Sequence, residues 1–124
     1  MKLGIVGSRK RNSLKDKELI RQRIIALKPD MIVSGGCPKG ADKFAEELSV
    51  ELSIPIEIFR PDLRSKPGIL TRYDVIAAYY ARNRKIAENA DYLIALVALD
   101  RKGGTENTIC HFKEIHGEYD CEIL

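Results

Sequence analysis

Short apolar segments alternate along the chain with longer segments in which apolar residues recur at helical spacing. This alternation of buried strand and amphipathic helix is typical of βαβ units and a parallel sheet. The pattern therefore predicts an α/β fold, a Rossmann-like three-layer α/β/α domain with a mostly parallel five-stranded sheet. The predicted strands cover residues 2–6, 31–33, 55–59, 91–97 and 121–124.

The segments between these strands have helical spacing and recognisable ends. Ser13 and Asp16 have the spacing of a capping box, which starts the first helix. Thr105 is expected to cap the last helix, and Gly117 is expected to end it. The other predictions are a helix over 40–52, a loop over 60–68, and a helix that begins between residues 72 and 81 and runs to about residue 90.

Length and composition limit the class of protein. A chain of 124 residues has room for one domain, so residues 1–124 are predicted to form a single unit. Apolar residues make up 44% and charged residues 31%, which are ordinary proportions for a globular protein. No segment has the roughly 18 apolar residues of a membrane span, and residues 1–7 lack a signal-peptide pattern. We therefore expect a cytoplasmic protein with no membrane partner.

Cysteine and histidine positions do not indicate a metal site. Cys37, Cys110 and Cys121 are odd in number and form no CxxC pair. This argues against a disulfide framework and against a zinc cluster. His111 and His116 would point about 140° apart on a helix, so they cannot chelate one ion together. No metal site is therefore predicted.

Glycine-rich turns directly follow three of the predicted strands. Because the carboxyl ends of parallel strands lie at one edge of a sheet, these turns are expected to converge where open α/β sheets bind ligands. Glycine lets the backbone approach a ligand and turn successive N–H groups inward, and helix starts favour anions. The alternative, that the glycines only tighten the connections, stays open. The turn residues predicted to bind ligand are Gly7, Ser8, Arg9, Ser34, Gly35, Gly36, Gly40, Gly103, Gly104 and Thr105.

Three further positions extend the predicted site. Asn83 lies on the apolar face of its predicted helix, where a buried amide needs hydrogen-bond partners, and Arg82 precedes it. If the helix began close to Arg82, both residues would lie in its first turn. A satisfied core asparagine and a surface arginine are the structural alternative. Asp42 is predicted to contact a sugar hydroxyl. Asp42 and Glu106, in first helical turns that favour an ionised carboxylate, are the candidate catalytic residues.

Four segments carry recognisable motifs: GIVGSR at residues 4–9, IVSGG with GAD at 32–42, RNRKIA at 82–87 and GGT at 103–105. Together they resemble the SLOG superfamily, which includes the DNA-processing protein Smf/DprA, the LOG phosphoribohydrolases and small YspA-type single-domain proteins. The YspA-type members are the most similar in length. The resemblance implies a Rossmann-like sheet with a nucleotide-type ligand at its carboxyl edge. Thr108 stands where the LOG motif has its catalytic glutamate.

These features leave three functions open. The first is binding of a phosphate-bearing nucleotide or nucleotide-derived ligand, as a sensor or carrier, with no further cofactor. The second is N-glycosidic cleavage by a nucleoside-monophosphate phosphoribohydrolase. The third is binding of single-stranded DNA, for which a net charge of +3 and 6% aromatic residues offer little support. The apolar segment 75–81 also predicts a homodimer.

Overall fold

The structure, a computed structural model, describes residues 1–64, 68 and 70–124. Over these residues five strands alternate with four helices, and each strand lies within one residue of its predicted bounds. The elements are β1 (Lys2–Gly7), α1 (Leu14–Leu27), β2 (Met31–Ser34), α2 (Ala41–Glu51), β3 (Ile56–Ile58), α3 (Arg72–Asn89), β4 (Tyr92–Leu96), α4 (Gly104–His116) and β5 (Cys121–Ile123).

The five strands form one sheet in the order β3-β2-β1-β4-β5, and every neighbouring pair is parallel. The predicted fold class is confirmed, with a sheet that is wholly rather than mostly parallel. From β1 the chain moves outward to β2 and β3, and then returns to β4 on the opposite side of β1. The topological switch point therefore lies between the carboxyl ends of β1 and β4.

Helices cover both faces of the sheet and bury two apolar cores. Because side chains alternate along a strand, Leu3 and Ile5 of β1 face one side and Val6 faces the other. α1 and α2 pack on the first side, where Phe44 is almost fully buried. α3 and α4 pack on the second side, around Phe112. This arrangement is the three-layer α/β/α architecture.

Two helix starts differ in how they are capped. α1 begins with the predicted capping box: Asp16 N–H donates to Ser13 Oγ over 3.1 Å, and Ser13 N–H donates to the Asp16 carboxylate over 3.3 Å. The prediction that Thr105 caps α4 is wrong. Gly103 occupies the N-cap position with a φ of 102°, a conformation that favours glycine, and Thr105 lies inside the first turn. Gly117, with a φ of 83°, ends α4 as predicted.

α3 has 18 residues and starts at the early end of the predicted range, at Arg72. Arg82 and Asn83 therefore lie in the second half of the helix and not in its first turn. Buried residues are confined to the second half of the helix. In the first half, Tyr73 is 84% and Tyr80 50% exposed. The first half of α3 therefore adds little to the core.

The loop predicted over residues 60–68 is described only in part. Residues 60–64 form neither helix nor strand, as predicted, and residues 65–67 lie outside the described residues. In the described part of the chain, no helix combines the length and apolar character that crossing a membrane requires.

Candidate functional site

A cavity of about 430 Å³ opens at the switch point, at the carboxyl edge of the sheet. The loops after β1, β2 and β4 all contribute to it, as the predicted convergence of the glycine turns requires. We call it the first cavity. Nine residues of the predicted site line it: Gly7, Ser8, Arg9, Asp42, Arg82, Asn83, Gly103, Gly104 and Thr105.

The first turn of α4 forms one side of the first cavity. Gly103, Gly104 and Thr105 line the cavity there, and no described side chain caps the helix. The first N–H groups of a helix have no partner within it and carry partial positive charge. In α1, by contrast, Ser13 and its capping box occupy such groups. The start of α4 therefore offers hydrogen-bond donors to an anion in the cavity.

The loop after β1 forms a second side. Ser8 N–H donates to Leu96 O over 2.9 Å, which ties this loop to the end of β4. Lys10 N–H donates to Ser8 Oγ over 3.2 Å, and Lys10 Nζ pairs with Asp100 in the loop after β4 at 2.8 Å. Arg9 is exposed and has no ion pair with a carboxylate of the described residues. The turn thus holds a cationic side chain at the cavity, with no counter-ion among the described residues.

Arg82 and Asn83 reach the cavity from α3. Arg82 Nη1 donates to Gly35 O over 2.7 Å, and Arg82 Nε donates to Asn83 Oδ1 over 2.9 Å. Asn83 Nδ2 donates to Gly104 O over 3.3 Å and to Asn107 Oδ1 over 3.1 Å. The prediction of an inward amide is confirmed, since Asn83 is 4% exposed. These hydrogen bonds satisfy the polar atoms of the buried amide. Asn83 therefore links α3 to α4 beside the cavity.

Asp42, in the first turn of α2, is a buried carboxyl in the lining of the first cavity. Burial raises its pKa, although the Cys37 N–H, 3.0 Å from Oδ2, and the positive charge of Arg82 act in the opposite direction. The helix start favours the ionised carboxylate, but desolvation is the larger effect on this pKa. A carboxyl at this position can hydrogen-bond to a ligand hydroxyl.

The remaining wall is apolar and comes from the first half of α3. Val75, Ile76, Tyr79 and Tyr80 line it, and the guanidinium carbon of Arg82 lies 5.2 Å from the centre of the Tyr79 ring. From the sequence, Tyr79 and Tyr80 are expected to pack against the sheet or against a second subunit. Tyr79 shares the inward helical spacing of Asn83 and Ile86, and this spacing is the signal that could have identified it as a cavity residue.

A second cavity of about 550 Å³ adjoins the first. Gly35 and Gly36, which the sequence assigns to the same site as the other glycines, line this second cavity instead. Its opposite side is formed by residues 60–64, in the loop after β3. The residues shared by the two linings are Arg9, Cys37, Tyr79 and Arg82.

Three residues of the predicted site line neither cavity. Ser34 is fully buried at the end of β2. Gly40 precedes α2, and its N–H donates to Asn12 Oδ1 over 2.9 Å, so this donor is already used. The Glu106 carboxylate accepts two hydrogen bonds from Arg101, each of 2.9 Å. The structure therefore does not bring these three residues to a ligand cavity.

Thr108 does reach the first cavity. It is 2% exposed, and its Oγ1 donates to Gly104 O over 3.2 Å. Among the described residues that line the first cavity, Asp42 has the only carboxylate. The cavity is therefore rich in hydrogen-bond donors and positive charge, with a single acidic group.

Within the described residues, no group of three or more His, Cys, Asp or Glu side chains could hold a metal ion. In comparisons with known proteins, no family model, no curated protein and no solved structure matches the chain.

Proposed function

We propose that the protein binds a phosphate-bearing nucleotide or nucleotide-derived ligand in the first cavity. The proposal depends on one observation: the uncapped start of α4, the Arg9 turn and an aromatic wall meet at the switch point of the sheet. The first two favour an anion. Tyr79 offers aromatic surface to a base. The volume of about 430 Å³ is within the range of small-molecule sites.

Each side of the cavity has a separate role in this proposal. The N–H groups at the start of α4, with Gly104 and Thr105, receive the phosphate, and Arg9 neutralises its charge. Arg82, held by its bond to Gly35 O, adds positive charge beside the phosphate. The buried Asp42 carboxyl hydrogen-bonds to a sugar hydroxyl.

The resemblance to the SLOG superfamily points to the same class of ligand. All four motif segments, at 4–9, 32–42, 82–87 and 103–105, contribute residues to the lining of the first cavity. This coincidence supports the proposal that the protein is a small SLOG-type domain. A domain of this kind would serve as a sensor or carrier.

The same geometry favours binding over cleavage. Breaking an N-glycosidic bond places positive charge on the sugar, which an ionised carboxylate stabilises. Asp42 is the only described carboxyl in the lining, and burial raises its pKa. Glu106 is engaged by Arg101 outside the cavity. We therefore propose that nucleoside monophosphates incubated with the protein release no free base. Release that is abolished by Asp42→Asn would instead support a phosphoribohydrolase.

Native mass spectrometry of the purified protein tests the proposal directly, because a co-purified nucleotide adds its mass to the chain. Calorimetry with nucleoside monophosphates follows. Arg9→Gln is expected to weaken binding by about 1.5–3 kcal/mol, or roughly 10- to 150-fold, by removing a charge-assisted hydrogen bond. Arg9 is exposed, so the fold should be unaffected.

Lys85→Gln is the matched control. Lys85 is an exposed cation on α3 that lines neither cavity, and its substitution changes the net charge equally. The Lys85→Gln variant should bind nucleotide with the same affinity as the unaltered protein. The proposal fails if no nucleotide is retained or bound at millimolar concentration, or if both variants weaken binding to the same extent. Binding of single-stranded DNA that falls steeply with salt would support the third function instead.

We also propose a homodimer that forms through the first half of α3. Tyr73, Ile76 and Tyr80 are exposed there by 84%, 38% and 50%. Exposed aromatic and aliphatic side chains on an element with few buried residues are typical of subunit contacts.

A further inference from the structure

The second cavity adjoins the first, and four residues, two of them arginines, line both. The rest of the second cavity, beyond these four residues, is formed by the turn after β2 and by residues 60–64. A ligand in the first cavity therefore lies next to the second cavity, beside these four side chains. The proposed function explains the first cavity and leaves the second without a role.

Positive charge gathers in the second cavity. Arg9, Arg60, Arg64 and Arg82 all line it, and Asp62 has the only carboxylate among the described lining residues. Asp62 accepts a hydrogen bond from the backbone N–H of Arg64 over 3.1 Å and has further interactions of its own. No described carboxylate forms an ion pair with Arg9, Arg60 or Arg64 within 4 Å.

Arg9 and Arg82 both line the two cavities, and their positive charges oppose each other. Burial lowers the pKa of Arg82, Asp42 opposes that effect, and the positive charge of Arg9 adds to the lowering. Like charges held together near a cavity raise the free energy of the empty site. An anion placed between them would relieve this repulsion.

The fold holds Arg60 over the glycine turn. Arg60 Nη1 donates to Gly36 O over 3.1 Å, and a Cβ at Gly36 would lie 2.5 Å from that nitrogen. Gly36 also has a φ of 75°, which other residues rarely adopt. A guanidinium has five N–H donors, and no described group accepts from Arg60 besides this carbonyl. The turn is thus shaped to admit Arg60, whose remaining donors have no acceptor among the described residues.

We propose that the second cavity binds a further phosphate group of the ligand, so that the ligand is a nucleotide with a chain of two or more phosphates. This inference rests on the proposed function, with the nucleoside in the first cavity. Arg9 and Arg82, which line both cavities, contact the phosphate nearest the nucleoside. Arg60 and Arg64 contact the next, because guanidinium groups match phosphate oxygens in charge and geometry.

The test is calorimetry with two probe series, adenosine and guanosine 5′-mono-, di- and triphosphate. For the unaltered protein, affinity in at least one series should rise about tenfold or more from the monophosphate to the diphosphate. In the double variant Arg60→Gln/Arg64→Gln the rise should disappear, while the affinity for the monophosphate stays unchanged.

Lys85→Gln/Lys113→Gln is the control for net charge, since both lysines are exposed and line neither cavity. It should keep the rise. Monophosphate binding with no gain from further phosphates overturns this inference and leaves the proposed function standing. If the control variant loses this gain as fully as the arginine double variant does, the gain comes from net charge alone. That result also overturns the inference. Failure of every nucleotide to bind overturns both.

Discussion

At the scale of single residues, close packing decides which glycines of the site can be replaced. A Cβ at Gly7 would lie 2.7 Å from Ala41 Cβ and 2.8 Å from Leu96 Cβ. Both neighbours are fully buried, so neither can move away. A Cβ at Gly104 would meet only Asn83 Nδ2, at 3.7 Å, an ordinary contact. Gly7 is therefore required by the packing of β1 against α2, and Gly104 is not.

Gly7→Ala is expected to lower the free energy of unfolding by about 1–3 kcal/mol, the usual range for overpacking a buried position. Gly104→Ala should leave it unchanged or raise it by up to about 1 kcal/mol, because alanine is the better helix former. Urea denaturation of both variants is the measurement. Equal stability of the two would contradict the packing argument.

The pKa of Asp42 gives a pH dependence with a definite sign. The folded state raises this pKa, so it binds the proton more tightly than the unfolded state does. Stability from this group is therefore present below about pH 4 and is lost as pH rises through the folded pKa. Asp42→Asn should be more stable than the unaltered protein at pH 7, and this advantage should disappear near pH 3.

Asp16 should give a pH dependence of stability with the opposite sign to that of Asp42. Burial acts to raise its pKa, but hydrogen bonds from Arg11 and Ser13 lower it overall. Asp16→Asn should therefore be less stable at pH 7, with the difference shrinking as pH falls below about 4. Denaturation curves at several pH values measure both. Parallel pH profiles for the two variants would show that the signs are assigned wrongly.

At the scale of elements, the strands are predictable because a parallel strand is buried on both faces and forms a continuous apolar run. β4 (Tyr92–Leu96) is the clearest case. Helix starts are harder to locate where the N-cap residue is a glycine, as at Gly103. Thr105 nearby has the hydroxyl expected of an N-cap residue, but it lies inside the first turn. The start of α3 has an unused signal: Thr71 and Asp74 have capping-box spacing.

The site is predictable only in part, for a tertiary reason. Periodicity places the glycine turns at one edge, and nine of the predicted residues do line one cavity. Sequence spacing does not say whether a glycine there faces ligand or protein, and Gly40 faces protein: a Cβ would lie 2.8 Å from Ser8 O. The split into two cavities depends on Arg82 crossing to Gly35 O, a contact between distant segments.

α3 is expected to have two halves of different stability. Its second half is buried, whereas its first half depends on the Thr71 cap, in which Asp74 N–H donates to Thr71 Oγ1 over 3.2 Å. Thr71→Ala should speed backbone hydrogen exchange at residues 72–78 and change global unfolding by less than about 1 kcal/mol. Hydrogen exchange with mass spectrometry measures both effects.

Ser13→Ala is the matched control, because it removes the same motif from α1, whose residues Ile20 and Ile24 are buried. That loss should lower global stability by about 1 kcal/mol. If the two variants unfold with the same loss of global stability, α3 is a cooperative part of the core and the two-halves description is wrong. Nucleotide that slows exchange in residues 72–78 would place the ligand against this half.

At the scale of the whole molecule, the ligand edge and the proposed subunit contact share one element. The first half of α3 presents Tyr79 to the first cavity and Tyr73 to solvent. A dimer formed through this half would order the cavity wall at the same time. Nucleotide affinity should then depend on protein concentration, because binding and association stabilise the same conformation.

Light scattering at micromolar concentration should therefore give twice the chain mass of 14.0 kDa. Tyr73→Asp places a charge in the proposed contact and should yield the monomer mass, since an unpaired charge is costly to bury. Tyr119→Asp is the matched control, for Tyr119 is 97% exposed on the loop before β5, and it should remain dimeric. A monomer mass for the unaltered protein, or dissociation by both variants alike, would rule out this contact. The Tyr73→Asp monomer should also bind nucleotide more weakly, because its cavity wall lacks the partner that orders it.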